Sequence, residues 1–191
     1  DPEIASPTAD IVVPVADVLS SGARIEINTD RLIGSVALDG GRIDDLSLKD
    51  YRETLDEDAD LVRILSPFGT AAPYYALHGW IPTVGAGLED VPGRDTPWTV
   101  ENGNTLSVGN DVGLVWENGS GLVFRKTFSI DNDFLFTVTQ SVENSSGAEV
   151  ALRPYGQVAR HGEPEQIGFF IQHEGVVRMS DGSMEEIDYN D

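Results

Sequence analysis

The sequence predicts an all-β fold, a sandwich of two packed, largely antiparallel sheets with at most short helices. Three observations carry the sandwich prediction. Side chains alternate in and out with period two along most of the chain. Turn signals interrupt that alternation roughly every 8 to 14 residues, enough for about ten to twelve strands. No amphipathic stripe of three helical turns appears anywhere.

Residues 1 to 22 are rich in Pro, Ala, Ser and Asp, the composition of a linker, and residues 23 to 191 read as one sandwich domain. The first strand covers residues 23 to 28, with Ala23, Ile25 and Ile27 on one face and Arg24, Glu26 and Asn28 on the other. Val36 to Leu38 and Ile43 to Leu48 form a hairpin about Gly40–Gly41, because paired glycines supply the positive φ of a tight turn. Lys49 to Leu55 is the best short-helix candidate, and Leu61 to Leu65 is a short apolar strand. Residues 66 to 97 hold Pro67, Pro73, Pro82, Pro92 and Pro97 together with Phe68, Tyr74, Tyr75 and Trp80, and read as a long ordered excursion from the sandwich.

Trp98 to Glu101 and Thr105 to Val108 read as a hairpin about Asn102–Gly103. Val112 to Glu117 leads through a Gly-rich turn into Leu122 to Ile130, where Leu122, Phe124, Phe128 and Ile130 share a face. After the turn Asp131–Asn132–Asp133, Phe134, Phe136, Val138, Gln140 and Val142 alternate with Leu135, Thr137, Thr139 and Ser141. Val150 to Arg160, Ile167 to His173 and a short Gly175 to Met179 complete the expected strands, with an acidic end at Glu185 to Asp191.

The chain has 33 acidic and 12 basic side chains, net charge −21, and no cysteine. Its field repels polyanions, which excludes phosphate-driven nucleic-acid binding and disfavours anionic lipid. Without cysteine there is neither a disulfide framework nor a thiolate zinc site.

Motifs for chemistry are sparse. Asp56, Asp58 and Asp60 open like a calcium loop, but Leu61 stands where glycine is needed and Pro67 where glutamate is needed. The three histidines, His78, His161 and His173, form no His-x-x-x-His pair. No serine lies in a Gly-x-Ser-x-Gly elbow, and Gly85–Ala86–Gly87 lacks the rest of a dinucleotide loop. Asn118–Gly119–Ser120 and Asn144–Ser145–Ser146 match the glycosylation triplet on turns. Tyr74, Tyr75, Trp80, Trp98 and Trp116 are candidates to line a cleft for a sugar or an extended peptide, or else to cap the sandwich core. A sugar-isomerising reading, as the alternative, would pair His161 or His173 with Glu163 or Glu174 as acid and base. No catalytic residue, metal ligand or cofactor is assigned.

From Arg31 to Pro67 the chain resembles the periplasmic domain of the YidC family of membrane protein insertases, in its α-proteobacterial form. The resemblance continues through PYYALHGW (Pro73 to Trp80), PGRDTPWT (Pro92 to Thr99), the block Gly121 to Asn144, RPYGQVARHG (Arg153 to Gly162), and IQHEGVV to EEIDY (Ile171 to Tyr189). It implies a β-supersandwich of the galactose mutarotase-like kind on the periplasmic side of the bacterial inner membrane, tethered by a preceding transmembrane helix and followed by five helices that hold the insertase activity. It implies a non-catalytic module that assists insertion and folding of membrane proteins. Its partners would be Sec translocon components, SecF among them, and nascent membrane proteins. The SecF-associated part corresponds to about Val138 to Tyr189, and Val150, Leu152, Tyr155, Gln157 and Arg160 are its candidate contacts. Family domains run on for several more strands, so an open sheet edge and a homodimer through it are further expectations.

Overall fold

Helix α1 (Val15–Ser21) and thirteen strands are laid out along residues 12–162 and 175–189, the residues described by a computed structural model. The strands are β1 (Arg24–Asn28), β2 (Leu32–Ala37), β3 (Arg42–Arg52), β4 (Leu61–Leu65), β5 (Tyr74–Val84), β6 (Thr99–Asn102), β7 (Thr105–Leu106), β8 (Val112–Glu117), β9 (Leu122–Ile130), β10 (Phe136–Asn144), β11 (Ala151–Arg160), β12 (Gly175–Ser180) and β13 (Ser183–Asp188). Among the described residues no helix is long and apolar enough to cross a membrane.

The chain divides into two units, Asp1–Arg160 and His161–Asp191. In the first, a seven-stranded sheet runs in the order β11-β5-β3-β2-β1-β7, with β4 also on β3. A second sheet runs β10-β9-β8-β6. Their inner faces share one core. Ile25, Ile27, Leu32, Val36, Ile43 and Leu46 come from the first sheet, and Val112, Leu114, Leu122, Phe124, Phe128 and Ile130 from the second. This is the sandwich that the period-two alternation requires. The second unit holds the hairpin β12–β13, turned by Asp181 and Gly182, both at positive φ.

The Gly40–Gly41 hairpin forms as expected, with φ of 77° and 59°. A β-bulge between Ser35 and Val36 leaves Asp44 out of register, and Asp44 is 1% exposed. Arg24 and Arg42 both pair with its carboxylate. Ser35 Oγ donates to Asp45 at 2.7 Å, and Arg63 pairs with Asp45 as well. A buried polar ladder therefore ties β1, β2, β3 and β4 together.

Four local expectations are corrected. Lys49–Arg52 is strand, the end of β3, because cross-strand partners outbid weak helical propensity: Lys49 Nζ donates to Asn28 Oδ1 and the Thr29 carbonyl, and Arg52 pairs with Leu61. The excursion 66–97 contains β5, eleven residues long; from Tyr74 to Trp80 both of its faces are at least partly covered, which blurs the alternation, and its glycine and proline imitate a loop. Residues 98–108 form no hairpin, since β6 pairs with β8 while β7 crosses to the other sheet and runs parallel to β1. The stretch 1–22 includes α1, where Val15, Val18 and Leu19 share one half-buried face. A further strand, β13, occupies much of the expected acidic end. The expected strand Ile167 to His173 lies outside the described residues.

Candidate partner-binding edge and the cleft behind it

β11 is built on β5 in antiparallel register, Leu152 opposite Pro82 through Arg160 opposite Tyr74. Each glycine of this ladder is covered by an aromatic ring from across the pair. Tyr155 lies over Gly79, where an added Cβ would come within 2.7 Å of the phenol oxygen, and His78 lies over Gly156, 3.0 Å from the same imagined atom. Rings that cover glycines across a strand pair restore the contact the missing side chain forfeits. Arg160 closes the end of the ladder with its guanidinium 5.3 Å from the Tyr74 ring centre.

Among the described residues of the first unit, β11 is paired on one side only. Pro154 sits in its middle and has no amide hydrogen. Proline is tolerated in an edge strand when its nitrogen faces away from the sheet. Backbone groups two residues apart point the same way, so Leu152, Gly156 and Val158 share that outward orientation. Of the candidate contacts, Val150 and Leu152 pack against the core, Tyr155 is half-buried on Gly79, and Gln157 and Arg160 are exposed. Val158, which the sequence reading did not single out, is 68% exposed on the strand face shared with His78. It is the most exposed apolar side chain of the edge.

Behind β11 and β5 lies a cleft of about 320 Å³ between the two sheets. It is lined by Ile43, Leu46, Ile64, Leu65, Ala76, Phe136 and Val138, with His78 as its one titratable side chain. Among the described residues His78 Nδ1 is buried with no hydrogen-bond partner, and burial, then the charge of Lys126, hold its pKa below 6.5. Gln140 bridges the sheets by donating to the Gly79 carbonyl at 2.9 Å.

The aromatics expected to line a cleft sit elsewhere. Trp80 and Trp98 are 5% and 3% exposed and stack at 6.3 Å between centroids, and both Trp80 and Trp116 pack on Phe124. Tyr75 is buried against Phe68, and Tyr74 is held under Arg160. These five rings serve the core and the strand ends, the other role the sequence allowed them.

Lys126 was missed altogether. It stands between Phe124 and Phe128 on the inward face of β9 and is 1% exposed. Its amine donates to the Gly40 carbonyl at 3.1 Å and lies 4.5 Å from the Trp98 ring centre. Burial, then the positive charge of Arg42, lowers its pKa to about 7. The signal was available: strict alternation along β9 puts position 126 indoors.

For the alternative acid–base pairs, His161 lies in the loop after β11, while Glu163, His173 and Glu174 lie outside the described residues. Among the described residues no group of His, Asp and Glu is arranged to hold a metal ion.

Comparison with known proteins agrees with this architecture. The family model described as YidC periplasmic domain matches residues 24–191. The chain is similar to three proteins each named membrane protein insertase YidC. That of Dinoroseobacter shibae is 56% identical over 168 residues, 88% of this chain and 28% of the relative. That of Ruegeria pomeroyi is 54% identical over 182 residues, 92% and 30% respectively. That of Roseobacter denitrificans is 51% identical over 195 residues, covering 100% of this chain and 32% of the relative. The chain thus spans about a third of the length of these curated relatives.

Proposed function

The chain belongs to the family of YidC periplasmic domains, and from that premise we propose that it serves a bacterial inner-membrane insertase as a non-catalytic interaction module. Its partners are Sec translocon components, SecF first among them, and segments of nascent membrane proteins. The observation that supports this reading is the one-sided pairing of β11. An open edge offers main-chain donors and acceptors to an extended partner with little demand on that partner's sequence.

Pro154 divides the edge, so the stretch Gly156 to Arg160 is the part best suited to strand addition, with exposed Val158 beside it. The charge of −21 opposes edge pairing between two copies, which makes a different protein the better occupant than a homodimer.

Proline substitution tests the edge in the full-length insertase. Val158→Pro and Leu152→Pro remove outward amides and leave the β5 ladder paired. Both are expected to weaken capture of SecF, with circular dichroism confirming that the fold is retained. Unchanged capture by two folded variants overturns the assignment.

A further inference from the structure

Two Asn–Gly pairs occur, Asn102–Gly103 where β6 ends and Asn118–Gly119 between β8 and β9, and the structure treats them differently. Both glycines sit at a φ of 74°, so the glycine conformation does not distinguish them. The asparagine side chains do. Asn118 Oδ1 accepts from the Ser120 and Leu122 amides at 2.8 and 3.1 Å, and its Nδ2 donates to the Asp90 carbonyl at 3.2 Å. The Asn118 amide nitrogen also donates to the Leu122 carbonyl at 3.1 Å. Asn102 is exposed at the end of β6, rests its amide against Gly113 across the strand pair, and makes no side-chain hydrogen bond among the described residues.

We propose that Asn102 is a site of spontaneous deamidation in the folded domain, and that Asn118 is protected. The Gly103 backbone nitrogen attacks Asn102 Cγ, a C–N bond forms, and the Cγ–Nδ2 bond breaks to release ammonia. The succinimide ring so formed takes up one water. Opening at Cγ gives aspartate, and opening at the backbone carbonyl gives isoaspartate, which lengthens the main chain by one methylene. No oxidant or cofactor takes part, since solvent supplies the water.

The reaction needs the Asn carboxamide to swing over the next residue's nitrogen; at Asn102 that swing breaks no side-chain hydrogen bond among the described residues and displaces the amide only from its packing on Gly113 at the end of the β6–β8 pairing. Glycine at 103 places no Cβ in the way. At Asn118 the same rotation must first break three side-chain hydrogen bonds, one of them to a backbone carbonyl in another loop. Each is worth about 1 kcal/mol net, so protection of tenfold or more is expected there. The product at Asn102 adds a negative charge to an already acidic surface, and isoaspartate would shorten the pairing of β6 with β8.

The test is a comparison of rates in the folded and the urea-unfolded chain at mildly alkaline pH, followed by peptide mapping with tandem mass spectrometry. Unfolded, the two sites should react at similar rates. Folded, Asn102 should keep most of its unfolded rate while Asn118 slows by about tenfold or more. Equal protection of both sites, or faster reaction at Asn118 in the folded chain, overturns the proposal.

Discussion

The amine of Lys126 lies 4.5 Å from the centre of the Trp98 ring and donates to the Gly40 carbonyl, so a cation from one sheet is pinned to the hairpin turn of the other. An aromatic face and one carbonyl compensate only part of the cost of burying an ammonium. That imbalance is why the lysine releases its proton near neutrality.

Lys126→Met should therefore stabilise the domain, by about 1–3 kcal/mol below pH 7. The folded pKa is about 7 against an ordinary 10.5. Between those values the unfolded chain holds the extra proton, so wild-type stability rises with pH across that window. The advantage of the Met variant should shrink over the same range. Urea unfolding of both proteins at about pH 6 and about pH 9.5 checks this. A constant difference would contradict it.

His78 shifts in the same direction and titrates lower. Its folded pKa lies below 6.5, so the neutral form is favoured by folding. As pH falls through 6.5 and on to the folded value, the unfolded state takes up a proton first and stability declines. His78→Leu should flatten that acid limb. Thermal melts across the interval would show it as a loss of the pH dependence that separates the two proteins.

Asp44 is clamped between Arg24 and Arg42 at the β2–β3 bulge. Asp44→Ala leaves two guanidinium groups without their partner in a buried site and should cost about 3–5 kcal/mol. Chemical denaturation measures the loss. A change below about 1 kcal/mol would mean that solvent reaches the two arginines.

Gly40 has a φ of 77°, and an added Cβ would fall 2.2 Å from the Arg94 carbonyl oxygen. Gly40→Ala should therefore destabilise by about 2 kcal/mol or more, through backbone strain together with a clash that no side-chain rotation relieves. A midpoint shift in urea without a change in slope is the expected signature.

Much of the sandwich was legible because its strands are half-buried and local turns join them. The Gly40–Gly41 hairpin, β8, β9, β10 and β11 follow directly from alternation and turn chemistry. β5 was not legible, since partial cover on both faces from Tyr74 to Trp80 blurs its alternation and its proline and glycine imitate a loop. The parallel pairing of β7 with β1 joins Glu26 to Thr105, 79 positions apart, and no local pattern encodes such a contact. At the candidate site, the sequence marked β11 and the resemblance marked its contact residues. It did not show the outward exposure of Val158 or the cleft around His78, because both depend on where the second sheet stops.

By itself, then, the sequence determined the class of fold, the strongly acidic charge balance, and the family. Those follow from side-chain order and composition, which are properties of the chain before it folds. Only the tertiary structure decided that five aromatic rings belong to the core and strand ends, that Lys126 is buried against Trp98, and that β11 is paired on one side among the described residues. Burial and edge position depend on which distant strands meet, and that is settled by packing between sheets.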